Sequence, residues 1–138
     1  MNGIVNLKLV ALDSNLFIYY FENNPDFAPS SVKIFERLSS GTLKAVTSVI
    51  SVMETLSYPT PPQIIETMQE AFESIPNLNI IDVDYKIVLE AARIRREYKF
   101  RLPDAIQLAT AVNNKAQAFV TNDKRLASFI QLPIVSLD

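Results

Sequence analysis

The sequence has no cysteine and no histidine, and only 2 of its 138 residues are glycine. The missing cysteines exclude disulfides and thiol chemistry. The missing histidines exclude imidazole bases, and together the two absences remove the usual zinc ligands. Two glycines are too few for a glycine-rich phosphate loop. A strong charge of one sign is also missing: the formal net charge is -2, so any contact with a polyanion needs a local basic patch. The lack of cysteine fits a reducing, cytoplasmic setting. The titratable groups left are Asp, Glu, Tyr, Lys and Arg. An enzyme made from them depends on carboxylates, and carboxylates suit hard cations.

A membrane span and a targeting segment are not expected either. The opening "MNGIVNLKLVALD" is apolar, but Asn6 and Lys8 interrupt it. It has no basic start followed by a cleavage site, and it reads as a buried strand. Hydrophobic residues make up 49% of the chain, enough for a sizeable core, and residues 1–138 are expected to form a single domain.

Apolar runs and helical patterns alternate along the chain. Strands are expected at 7–13, 42–47, 77–83, 116–121 and 132–137. Helices are expected at 14–21, 30–40, 48–57, 62–75, 84–99 and 103–114, with a short one between the last two strands. The prolines of "SYPTPPQ" at 57–63 separate two of these helices. "LFIYYF" at 16–21 is apolar almost all round, so Tyr19, Tyr20 and Phe21 cannot all face inward from one regular helix. The alternation predicts an α/β fold of three layers, a mostly parallel central sheet flanked by helices.

Four acids stand out against this pattern. Open parallel sheets bind ligands at the carboxyl ends of their strands. Asp13 follows "LVAL" and Asp123 follows "AFVTN" at such ends. Glu54 sits in the largely apolar helix that leaves the second strand. Asp104 opens the helix "LPDAIQLATAVNN", on one line with Leu108, Ala111 and Val112. Each acid also has a local explanation. Asp13 and Asp123 are placed to cap helices, Glu54 to pair with a surface cation, and Asp104 to sit in a helix's positive first turn. Four carboxylates at one edge would repel, at roughly 1 to 4 kcal/mol for a pair 4 Å apart. Mg²⁺ or Mn²⁺ would relieve the repulsion and could activate water against a phosphodiester.

The tags "ALDSN", "SVISVMET", "LPDAIQLATA" and "FVTNDKRL", in this order over nearly the whole chain, resemble the PIN-domain ribonucleases, of the kind found in VapC-like toxins. The resemblance implies that Asp13, Glu54, Asp104 and Asp123 are catalytic and hold Mg²⁺ or Mn²⁺. It implies that Ser14 or Asn15, Thr121 and Asn122 orient them. It also implies an RNA substrate, an antitoxin partner and a homodimer. The sequence departs from the family in two places: members often carry a glycine before the third acid, where this chain has "YKFRLP", and the "SYPTPP" break after the Glu54 helix is unusual.

The basic stretch "RIRREYKFR" reads as a solvated helix face at Arg93. Nearer the acids, Lys99 and Arg101, with Lys124 and Arg125 on the other side, form a candidate RNA-phosphate patch. Two other readings remain. One is a PIN-shaped interaction module without catalysis. The other is a haloacid-dehalogenase-like phosphatase, although Asn15 stands where that chemistry wants a second aspartate.

Overall fold

The computed structural model describes residues 2–137. Five strands, β1 (Leu9–Leu12), β2 (Lys44–Ser48), β3 (Leu78–Ile81), β4 (Phe119–Thr121) and β5 (Ile134–Ser136), form one sheet in the order β3-β2-β1-β4-β5. Every pairing among them is parallel. Six helices flank the sheet: α1 (Ser14–Glu22), α2 (Ala28–Ser40), α3 (Val49–Leu56), α4 (Pro62–Glu73), α5 (Tyr85–Tyr98) and α6 (Leu102–Asn113). The short helix expected before β5 is a 3-10 segment, Lys124–Ser128.

Alternation along the strands builds the three layers. Leu9, Ala11, Val46 and Phe119 pack on one face with Ala91 and Ile94 of α5 and Leu108 of α6. Val10, Leu12, Ala45 and Val120 pack on the other with Leu16 and Phe17 of α1, Ile34 and Leu38 of α2, and Phe72 of α4. Both faces of β1 are therefore covered, as its near-continuous apolar run requires. In α1 the inward turn belongs to Leu16 and Phe17, while Tyr20 is exposed and Tyr19 stacks on Phe27 at 4.8 Å.

The strands are shorter at their ends than the apolar runs that announced them. Leu7, Leu132 and Leu137 are apolar because they pack into the core from outside the paired segments. Only one described glycine is required by its backbone: Gly41 ends α2 at φ 79°. Lys99 takes the same left-handed conformation at the end of α5, with φ 60°, in the loop where the family's glycine was expected. Among the described residues no helix is long and apolar enough to cross a membrane.

Candidate active site

The chain leaves β1 toward β2 on one side of the sheet, and β4 lies on the other. This reversal opens a crevice at the carboxyl ends of β1 and β4, where ligands of open α/β sheets bind. Asp13 is the first residue after β1 and is almost completely buried. Its carboxylate accepts three hydrogen bonds, all from neutral groups. The Ser14 amide donates to Oδ1 at 2.8 Å, and the Thr121 hydroxyl to Oδ2 at 2.7 Å. The Asn15 amide donates to Oδ2 at 3.4 Å. Burial pushes the Asp13 carboxyl up to about 6, the hydrogen bonds from Thr121 and Ser14 work against that rise, and the charges of Asp104 and Glu54 add to it. Asp13, Asp104 and Glu54 therefore share one electrostatic field.

Asp123 meets a different environment. Its backbone amide donates to the Thr121 hydroxyl at 3.0 Å, which ties it to the oxygen that serves Asp13. Its carboxylate is gripped at both oxygens by the Arg125 guanidinium, and this bond holds the acid below the usual carboxylate range. Arg101 donates through Nε to Asp104 Oδ2 at 3.0 Å and reaches Asp123 Oδ2 at 3.9 Å. Arg125 also reaches Asp104 Oδ2 at 3.6 Å. The two arginines thus bridge the acid that opens α6 and the acid that follows β4. Glu54 stands apart from them. It makes no ion pair among the described residues and lines an open cleft of about 320 Å³ with Ile18, Ser57, Tyr58 and Pro59.

The local explanations of Asp13, Asp104 and Asp123 hold alongside their proximity, whereas Glu54 lacks the ion pair expected of it among the described residues. Asp13 caps α1 and Asp123 caps the 3-10 segment, while Asp104 lies in the first turn of α6. Caps and first-turn acids sit where helices begin, and in this fold α1, α6 and the 3-10 segment begin beside one another at the crevice.

Residues 10–130 match the PIN domain family. The chain belongs to that family. Membership implies a nuclease, a hydrolase of phosphodiester bonds. Among curated proteins none matches the sequence significantly. Solved structures do match. A toxin–antitoxin complex from Klebsiella pneumoniae is 24% identical, with a TM-score of 0.71 over 94% of this chain and 98% of that one. VapBC2 from Rickettsia felis, bound to a promoter DNA fragment, is 21% identical, with a TM-score of 0.75 over 94% and 99%. DNA-bound VapBC from Salmonella typhimurium is 23% identical, with a TM-score of 0.70 over 96% and 99%. At these identities the likeness is one of fold.

The family match displaces the haloacid-dehalogenase alternative, and in this PIN domain Asn15 is a neutral donor to Asp13 and to Thr121 (3.3 Å). Of the other supporting candidates, Thr121 contacts Asp13 directly, whereas Ser14 does so through its backbone amide and not its hydroxyl. Asn122 turns away from the acids and donates to the Tyr19 hydroxyl at 3.0 Å. In the candidate phosphate patch, Arg101 and Arg125 are engaged with Asp104 and Asp123. Lys99 and Lys124 are exposed and make no ion pair among the described residues. Arg93 is held by Glu90, Glu97 and Gln131 on the helix surface.

An all-oxygen donor set without histidine or cysteine suits Mg²⁺ or Mn²⁺. Among the described residues, however, no three carboxylates form a ready-made metal cage. Asp13, Asp104 and Glu54 share one field, but Arg101 and Arg125 supply the positive charge between Asp104 and Asp123.

Beneath the acids lies a set of polar side chains that the sequence reading passed over: Thr47, Ser51 and Gln107, each at most 2% exposed. The available signal was a polar residue breaking an apolar helix face. Gln107 is three residues after Asp104, and Ser51 three before Glu54.

Proposed function

We propose that this PIN domain is an endoribonuclease dependent on Mg²⁺ or Mn²⁺, in which Asp13, Glu54, Asp104 and Asp123 hold the cation and serve catalysis. One observation carries the reading. Asp13 is a buried carboxylate at the switch point of a parallel sheet, ringed by neutral donors and raised by burial and by two neighbouring acids. A buried charge so poorly compensated by the protein calls for a cation.

When bound, Mg²⁺ or Mn²⁺ supplies charge neutralisation and Lewis acidity toward a phosphodiester. The chain's own residues do the rest. Thr121 and Asn15 fix the Asp13 carboxylate, as outer-shell donors fix metal ligands. Lys99 and Lys124 are exposed and make no ion pair among the described residues, so they can take RNA phosphates without reading sequence. The VapBC complexes among the similar structures support a toxin role with an antitoxin partner, and we extend the proposal to that partner and to a homodimer. A small DNA-binding protein encoded directly upstream would support the toxin role.

The test uses purified protein, single-stranded RNA and Mg²⁺ or Mn²⁺. Asp13→Asn and Asp104→Asn should each slow cleavage by at least about 100-fold, the scale on which directly acting groups are felt. Cleavage at the wild-type rate would end the proposal. A second reading, a PIN-shaped interaction module without catalysis, draws on the open arrangement of the acids. Calorimetry with Mn²⁺ separates the two, because a retired site should give no binding heat.

A further inference from the structure

Thr47, Ser51 and Gln107 form a hydrogen-bond chain whose direction the geometry fixes. The Thr47 hydroxyl donates to the Leu12 carbonyl at 2.7 Å. Its single proton is then committed, so in the 2.7 Å contact between Thr47 and Ser51 the serine must donate. The Ser51 oxygen in turn accepts from the Gln107 amide at 2.8 Å. The run is therefore Gln107 to Ser51 to Thr47 to the carbonyl of Leu12. The Thr55 hydroxyl adds a bond to the Ser51 carbonyl at 2.7 Å, within α3.

Three of the four members, all but Thr47, lie within three residues of an acid. Leu12 precedes Asp13. Ser51 and Glu54 are three apart on one face of α3, as are Asp104 and Gln107 on α6. The chain crosses from α6 through α3 and β2 to β1, and α6, α3 and β1 are the elements that carry or adjoin these three acids. Apolar side chains could have filled the same space, as Ala105, Leu108, Ala109 and Ala111 do elsewhere on α6. A buried amide and two buried hydroxyls are tolerated only because each is matched, and such matching fixes one relative placement of the elements.

We propose that Thr47, Ser51 and Gln107 are positioning residues that set the spacing of the Asp13, Glu54 and Asp104 carboxylates for the divalent cation. The inference rests on the metal-site reading above. It is tested by Mn²⁺ calorimetry on the full chain, beside RNA cleavage and circular dichroism. Ser51→Ala and Gln107→Leu should each weaken Mn²⁺ binding by roughly tenfold, within the range seen when groups orienting metal ligands are removed. The cleavage loss should fall in kcat more than in KM. The double variant should lose little beyond either single one, because one broken chain cannot be broken twice. Ser51→Cys, which keeps a weak donor and acceptor, should recover part of the affinity and serves in place of Ser51→Ala if that variant fails to fold. A purely structural role would lower the melting temperature and leave Mn²⁺ affinity unchanged. Folded variants with wild-type Mn²⁺ affinity would overturn this inference alone. Wild-type protein that binds no Mn²⁺ would overturn the metal-site reading and this inference with it.

Discussion

Asp13 and Asp123 follow neighbouring strands and share the Thr121 hydroxyl, yet the fold treats them in opposite ways. The floor of the crevice offers Asp13 only neutral donors, and burial holds its carboxyl up at about 6. The rim offers Asp123 a guanidinium, and its carboxyl is held down. The difference lies in where the protein supplies its own positive charge. The rim already has its positive charge in Arg101 and Arg125. Among the described residues the floor has none, so on the proposed metal-dependent reading a divalent ion would gain most from Asp13, which neutral groups orient.

The contrast is broken most forcefully by removing the charge on the floor. A carboxyl held at about 6 instead of 3.8 costs the ionised, metal-free fold roughly 3 kcal/mol. The sign follows from proton binding. Between these values the native state holds a proton that the unfolded chain has released, so stability falls as pH rises through the interval, and above it the whole penalty applies. In chelator at pH 7.5, Asp13→Asn should therefore raise the unfolding free energy by roughly 1–3 kcal/mol, and the gain should vanish near pH 4. Asp123→Asn should do the reverse. Its depressed carboxyl stabilises the fold above the unfolded value, and that support is lost as pH falls through the folded one. Urea melts across pH would show the two variants diverging from wild type in opposite directions; a shared sign would end the floor-and-rim distinction.

At the rim, the expected effect is smaller. Arg125→Gln removes one internal cation and leaves Asp104 and Asp123 more negative. Mn²⁺ binding should tighten by roughly twofold to fivefold, the scale of an exposed ion pair, and more so at low salt. RNA binding in chelator should weaken if the same guanidinium also meets phosphate. Opposite responses to Mn²⁺ and RNA from one substitution would show Arg125 serving both the acids and the substrate. Unchanged Mn²⁺ affinity would mean that the arginine does not compete for the site.

Much of the floor was legible in the sequence and much of the rim was not. The order of apolar runs and helices predicted the layers, and Asp13 and Asp123 fell at strand ends because parallel topology puts them there. Strand ends were overread at Leu7, Leu132 and Leu137, since burial and pairing leave the same apolar mark in a sequence. Local role and cluster looked like rival explanations of Asp13, Asp104 and Asp123, but helix starts converge in this fold, so one position can serve both. Arg101 and Arg125 read as phosphate contacts although each stands within three residues of the acid it holds, Asp104 and Asp123; what nothing along the chain announces is the cross-contact of each arginine with the other acid, which tertiary structure makes. Ser51 and Gln107 were visible only as polar interruptions of apolar faces, and they stand far apart in sequence from one another.

The smallest effect tests whether the rim's backbone, as well as its charge, is under constraint. Lys99 ends α5 at φ 60° and ψ 30°, with its amide on the Arg95 carbonyl. Arg95 also donates through Nε to the Phe100 carbonyl at 3.2 Å, so the turn into "FRLPD" is held from both sides. A left-handed lysine costs about 1–2 kcal/mol, and glycine avoids that cost while losing roughly 0.5–1 kcal/mol in chain entropy. Lys99→Gly should therefore stabilise the metal-free protein by about 0.5–1 kcal/mol in urea melts. Mn²⁺ affinity should stay the same, because Lys99 pairs with none of the acids. Lys99→Asn, which tolerates the same backbone, should remove the positive charge to the same extent. A matched fall in RNA binding for both variants would place Lys99 against phosphate, whereas a fall in stability with glycine would show that the lysine side chain, and not the turn, holds this corner of the rim.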